Sequence, residues 1–320
     1  MSLQSQVVPP SLPGDENLDE LFALTPQLAR KRRSQLRIIF DRFIRNRLAV
    51  VGFVVLVLMG LAALFAPILY HATTTFDPST NIDLRNSPAF QNPSFQHLLG
   101  TDELGRDEMA RILYGGRVSL LIGISSMFMA IFVGVTIGAL AGYFGGVVDN
   151  LLMRATDIIL AIPLYLLLFV LSASFSNGSI LSIVVLIALF GWTETSRLVR
   201  SEFLALKERE FVMAARTLGA SNLRLMVRHI LPNAIGPIIV SSTLLVGNNI
   251  IIESILSFFG FGIQVPLASW GTMVANGKDY FLEHSMLVWA PGLCILFVVL
   301  SFNLMGDGLR DALDPYLTER

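Results

Sequence analysis

Four carboxylates, Asp102, Glu103, Asp107 and Glu108, stand close enough in the sequence to suggest a divalent-cation site. Arg106 and Arg111 are interleaved with them at the three- and four-residue spacings of a helix face, so local ion pairs are the expectation and a metal is not. Gly277-Lys278 begins like the end of a phosphate-cradling loop, but Asp279 follows where Ser or Thr is needed, and no glycine stands at the required position upstream. Neither a zinc-protease HExxH nor a GxSxG nucleophile turn occurs. Cys294 is the single cysteine and sits in an apolar run, which rules out an internal disulfide. No catalytic residue, resident cofactor or metal is therefore expected, and the purified chain should hydrolyse nothing. The remaining polar chemistry is Asn248, Asn249 and Glu253 in one apolar stretch. An ionisable group there is costly, so it serves either solute contact on a translocation path or hydrogen bonding between helices. Asp157, Glu194 and Glu253 could also couple an ion in a secondary transporter.

The elements that position these groups are membrane-length apolar runs. Of the 320 residues 53% are hydrophobic and 15% charged, with a mean hydropathy of +0.65, against about 25% charged in ordinary soluble domains. Leu48 to Leu69 carries no charge and its 22 residues suffice to cross a hydrocarbon core of about 30 Å. Val118 to Ala141, Leu151 to Ala173, Ile180 to Trp192 extended to Leu198, Ala234 to Ile252, and Met286 to Met305 bring the expectation to six spans. Arg154 and Asp157 are expected to pair with each other at the start of the third. Gly134, Gly138 and Gly142 recur every four residues and predict a close helix–helix approach.

The predicted organisation is all-α. Residues 1–29 form a disordered tail, 30–70 a basic anchor and the first span, 71–116 an outer loop, 117–309 the core, and 310–320 a C-terminal tail. Lys and Arg number eight before Leu48, one at Arg154, seven from Arg197 to Arg228, and two at Arg310 and Arg320, against five in the other loops. By the positive-inside rule both termini are cytoplasmic. The basic block before Leu48 reads as an anchor on the lipid bilayer, and the formal charge of −1 gives no sign of nucleic acid.

One polar interlude, residues 207–233, separates the fourth and fifth spans. Glu208 to Leu218 predicts a helix, Gly219 its left-handed stop, Ser221 a cap for the next turn, and Pro232 the end of a second helix. Phe211, Ala214, Ala215 and Leu218 fall on one face, leaving small residues for a partner.

Ala214-Ala215, Gly219 and Leu231-Pro232 resemble the cytoplasmic EAA loop of bacterial ABC importer permeases, although Met213 stands at the family's Glu position and His229 at its Ile position. LLGTDELGRDEMARILYGGRVSL, LLMRATDIILAIP, ESILSFFGFGIQVPLASWG and NLMGDGLRDALDP, in that order, resemble the C-type permease subunits of dipeptide, oligopeptide and nickel importers. The resemblance implies a type I importer fold in a bacterial inner membrane. It also implies a homologous B-type permease, two cytoplasmic ATPases that use ATP and Mg, and an extracytoplasmic solute-binding protein. Glu210, Phe211, Met213, Ala214, Ala215, Arg216, Gly219 and Ala220 would couple to the ATPase. Peptides are the first cargo expected, with nickel, glutathione or oligosaccharides carried by relatives.

Overall fold

The computed structural model describes residues 35–71, 76–77, 82–83, 89–175, 178–264 and 267–313. The tail expected over 1–29 lies outside the described residues. Five helices are long and apolar enough to cross a membrane, and a bent helix pair, taken as one span, brings the number to six. Apart from the two-residue strands Phe76–Asp77 and Ile82–Asp83, paired antiparallel, the described elements are helical.

Helix α1 (Gln35–Arg45) ends at Asn46, whose side chain accepts from the Ala49 N–H and caps α2 (Arg47–Leu64). The first apolar run does not form one helix to Leu69. It breaks at Phe65 and resumes as α3 (Ala66–His71), because Pro67 has no N–H to continue the ladder and is suited to a first turn.

The helix that follows the long polar loop begins before residue 116. Asp107 accepts from the Ala110 N–H at 2.8 Å and opens α4 (Glu108–Phe144), a 37-residue helix about 55 Å long that overreaches the bilayer core. Before it, Arg106 bonds Asp102 at 2.5 Å and Glu103 at 2.9 Å, and Arg111 pairs with Asp102. These are the local ion pairs expected, but most of their members sit in a turn closed by a Thr101–Asp107 bridge rather than on a helix.

The third apolar run is the largest departure. Instead of one straight helix over Leu151 to Ala173, α5 (Gly146–Leu160) and α6 (Leu164–Phe175) meet at 84°. Pro163 withholds a donor and biases Ile162 away from helical geometry, which places the corner there. Nor does Asp157 pair with Arg154: it accepts from Arg197 of α7 (Ile180–Leu206) at 2.5 Å.

Helices α4 and α7 run side by side along the glycine line. A Cβ at Gly134 would lie 2.7 Å from that of Thr195, one at Gly138 2.8 Å from that of Val199, and one at Gly142 2.7 Å from that of Phe203. Hydrogen in place of a side chain permits this approach.

After α7 the chain forms α8 (Glu210–Thr217), one turn as α9 (Asn222–Arg224) and a π-helical turn, Leu225–Ile230. It then enters α10 (Leu231–Phe258) without a stop. Pro232 thus begins a helix rather than ending one, since the first turn does not use its missing N–H. A serine–threonine capping box, Ser269 and Thr272, opens α11 (Trp270–Gly277). The last helix, α12 (Met286–Leu313), runs past Met305 and into the expected tail, where Ala312 is buried. Buried residues knit α4, α7, α10, α11 and α12 together, while Phe53, Leu58 and Phe132 project outward. That inversion suits a hydrocarbon solvent.

Candidate coupling surface and translocation cavity

Helix α8 has eight residues, of which Val212 is the one fully buried. It sits in a cluster with Tyr143, Phe203, Leu225, Met226 and Ile230. Glu210, Phe211, Met213, Ala214 and Arg216 remain exposed, and Ala215 and Ala220 are half-buried against the same cluster. The C-terminus closes with paired bonds, Ala220 N–H to the Ala215 carbonyl and Gly219 N–H to that of Arg216. This Schellman closure needs a left-handed residue, and Gly219 has φ +83°. Ser221 stands at the next N-cap in extended geometry, but its side chain makes no capping bond.

Polar contacts tie this loop to the spans. The Tyr143 hydroxyl donates to Asn222 Oδ1 at 2.7 Å, and Lys207 Nζ donates to the Gly142 carbonyl at 3.2 Å. Arg200 makes a two-pronged bond to Asp149 at 2.5 and 2.6 Å, fastening α7 to α5. Sequence reasoning named none of Val212, Tyr143, Asn222 or Lys207 as anchors. Val212 sits between Phe211 and Met213 in a continuous apolar run, which gave no sign that it alone is buried, and its partners are distant in the chain.

A cavity of about 280 Å3 opens between the α5–α6 corner, α7 and α10. Ile162 and Pro163 form one wall, Phe190 and Glu194 another, and Asn248 and Asn249 the third. Asn249 is fully buried; its Nδ2 donates to the Gly123 carbonyl at 3.4 Å, while its Oδ1 has no partner among the described residues. Asn248 is exposed.

Glu253 is not in that lining. It is fully buried and accepts from Ser257 Oγ at 2.7 Å and Ser119 Oγ at 3.2 Å. Ser119 Oγ also accepts from the Trp270 N–H at 3.2 Å, and Ser269 Oγ lies 3.4 Å from Ser257 Oγ. The carboxyl therefore joins α4, α10 and the start of α11, and of the three intramembrane candidates only the two asparagines reach the cavity.

The geometry thus comprises a closely packed long helix pair, a short capped helix between two spans and a bent pair around a cavity. Residues 134–319 match the family described as "Binding-protein-dependent transport system inner membrane component". The chain belongs to this family. Residues 34–93 match a second family, the N-terminal transmembrane domain of oligopeptide transport permease C. The oligopeptide transport system permease protein OppC of Bacillus subtilis (strain 168) is 40% identical over 276 residues, 86% of this chain and 88% of that protein. The dipeptide transport system permease protein DppC of Alkalihalophilus pseudofirmus is 41% identical over 280 residues, again 86% and 88%. In inward-facing structures of the MetNI methionine ABC transporter, one chain superposes with a TM-score of 0.53 at 17% identity. The superposition covers 64% of this chain and 98% of that one, a likeness of fold. The permease is thus a multi-pass membrane protein of a transporter family, the family its motifs indicated, and such family members are not themselves enzymes.

Proposed function

We propose that this permease forms half of the translocation path of an ATP-driven importer of di- or oligopeptides in a bacterial inner membrane. The other half is a homologous B-type permease. Two ATPases, which bind the ATP and Mg, dock at the cytoplasmic end, and a solute-binding protein delivers cargo at the opposite end. The observation that carries this reading is the presentation of α8: Val212 and, in part, Ala215 pack inward, and Phe211, Met213, Ala214 and Arg216 face outward with no covering element among the described residues. A short helix with small and apolar exposed residues suits insertion into a groove on a soluble partner. Basic residues concentrated at the same end support a cytoplasmic placement for it and for both termini. The names of the relatives support peptide cargo.

In this mechanism, closure of the two ATPases on ATP moves α8 as a rigid body. Val212 and the Tyr143–Asn222 bond pass the displacement to α4, and the Arg200–Asp149 bond passes it to α5 and hence to the corner that walls the cavity. Asn248 and Asn249 offer amide groups to a passing backbone without selecting its side chains.

Co-purification of the tagged chain from its native membrane tests the assembly: a second permease, ATPases and a peptide-binding protein should accompany it. Recovery alone, with vesicle transport that needs no ATP but collapses with the proton gradient, overturns the reading in favour of an ion-coupled transporter. Ala214→Trp provides the residue-level check, because Ala214 is exposed whereas Ala215 also packs on the cluster. The variant should insert normally and lose at least tenfold in ATP-driven uptake; unchanged uptake refutes docking through this face.

A further inference from the structure

A second, larger cavity lies at the end of the bundle opposite α8, walled by the turn before α4, the C-terminus of α10, and α11 with its 3-10 extension. Its volume of about 570 Å3 falls within the roughly 300–1,000 Å3 of small-molecule sites. Arg111 lines it; the residue is 3% exposed, one terminal nitrogen is committed to Asp102, and its Nε has no hydrogen-bond partner among the described residues. Lys278 lines it as well, with its ammonium 5.2 Å above the Phe258 ring and no carboxylate in ion-pair range among the described residues. Arg106 is already occupied by Asp102 and Glu103.

The anionic side of the cavity is as well defined. Glu103 gives one oxygen to Arg106 while its other, Oε2, is buried and unpartnered among the described residues; Asp279 is exposed and contributes a second carboxylate. A simple anion would meet these carboxylates, and a simple cation would meet Arg111 and Lys278. A ligand with both charges suits both, the cationic end of the lining facing its anion and the acidic end its cation.

Resting on peptide import as the function, we propose that this cavity is a receiving site for the termini of a short zwitterionic peptide. The exposed ammonium of Lys278 holds the carboxylate, with the buried guanidinium of Arg111 behind it, and the exposed carboxylate of Asp279 holds the ammonium, with Glu103 behind it. Asn276, also in the lining, offers its amide to the backbone. Such a site reads charge at the chain ends and leaves the side chains unread, which a general peptide carrier requires.

The test uses the assembled importer in proteoliposomes with saturating binding protein. Initial uptake of a labelled tripeptide and of its C-terminal amide is measured for wild type, Lys278→Gln and Lys278→Arg. The ratio of variant to wild type is taken for each peptide, so the binding protein's own preference cancels. Lys278→Gln should lower the ratio for the free peptide about fivefold to tenfold, leave that for the amide near one, and be rescued by Lys278→Arg. Asp279→Asn should do the converse, impairing the free peptide but not its N-acetyl form. Equal effects on both peptides, or no effect on either, overturn the receiving site while peptide import stands. A wild-type importer that takes up no peptide removes the import reading and this assignment with it.

Discussion

The close contact of α4 with α7 sets a quantitative prediction at Gly138. A methyl group there would approach Val199 Cβ to 2.8 Å and the Arg200 backbone nitrogen to 3.0 Å, and would press on the Ser196 carbonyl. The Val199 contact is short of ordinary carbon–carbon separation by about 0.7 Å. Its neighbours are backbone or β-carbon atoms of a regular helix, so no flexible side chain can turn aside and the helices must separate. Overpacking of this kind costs about 1–3 kcal/mol. Gly138→Ala also gains about 0.8–1 kcal/mol of helix propensity, which masks part of the loss. Gly60 on α2 provides the control, because nothing lies within 4 Å of a Cβ added there. Gly60→Ala takes the propensity gain with no clash, so the difference between the two variants isolates the clash at about 1–3 kcal/mol. That is roughly fivefold to 150-fold in the folding equilibrium, tenfold per about 1.4 kcal/mol. Titration of the purified proteins in mild detergent with SDS, followed by circular dichroism, measures it. Equal midpoints for Gly138→Ala and Gly60→Ala would refute the packing argument.

Glu253→Ala should destabilise the protein by about 1–3 kcal/mol for each buried serine hydroxyl it leaves without an acceptor, whereas Glu253→Gln retains an oxygen and should lose much less. Thermal unfolding in detergent distinguishes them, and equal losses would show that the carboxyl's hydrogen bonds do not matter. Asp149→Asn and Arg200→Gln should show a coupling of about 1 kcal/mol in a double-mutant cycle, in the lower part of the usual 0.5–3 kcal/mol because the Arg200 side chain is one-third exposed. Strict additivity of the two in stability would mean that the α5–α7 bond carries no energy.

The spans were legible because the bilayer imposes a simple rule: about 20 apolar residues must close their own hydrogen bonds. The glycine line was legible for a similar reason, since a four-residue spacing defines a helix face whatever lies opposite. Partners were less accessible. Asp157 has Arg154 three residues away and Arg197 forty residues away, and only the packing of α5 on α7 decides for Arg197. Val212 lay beside the expected partner face, but the residues that bury it come from α4, α7 and the π-helical turn. Proline was ambiguous on its own terms. Pro232 can terminate a helix or occupy a first turn, and the continuous ladder from Leu231 to Phe258 selects the second.

The misread corner matters most for function. Hydropathy sums over a window and is indifferent to direction, so Leu151 to Ala173 scores as a span whether straight or folded at 84°. Yet Ile159, Leu160, Ile162, Pro163 and Leu164, all from the corner, line the cavity that also holds Asn248 and Asn249. With α5 and α6 collinear, that wall would be a helix side and the asparagines would face a different surface. The two candidate residues were therefore identifiable as polar groups in an apolar helix, but the space they address was not. The corner also explains why the polar groups divide their roles: Asn248 and Asn249 lie level with it on α10, whereas Glu253 is a turn further on and meets serines from α4 and α10 instead. A single proline in an apolar run thereby sets which polar groups meet the cavity and which hold the bundle together.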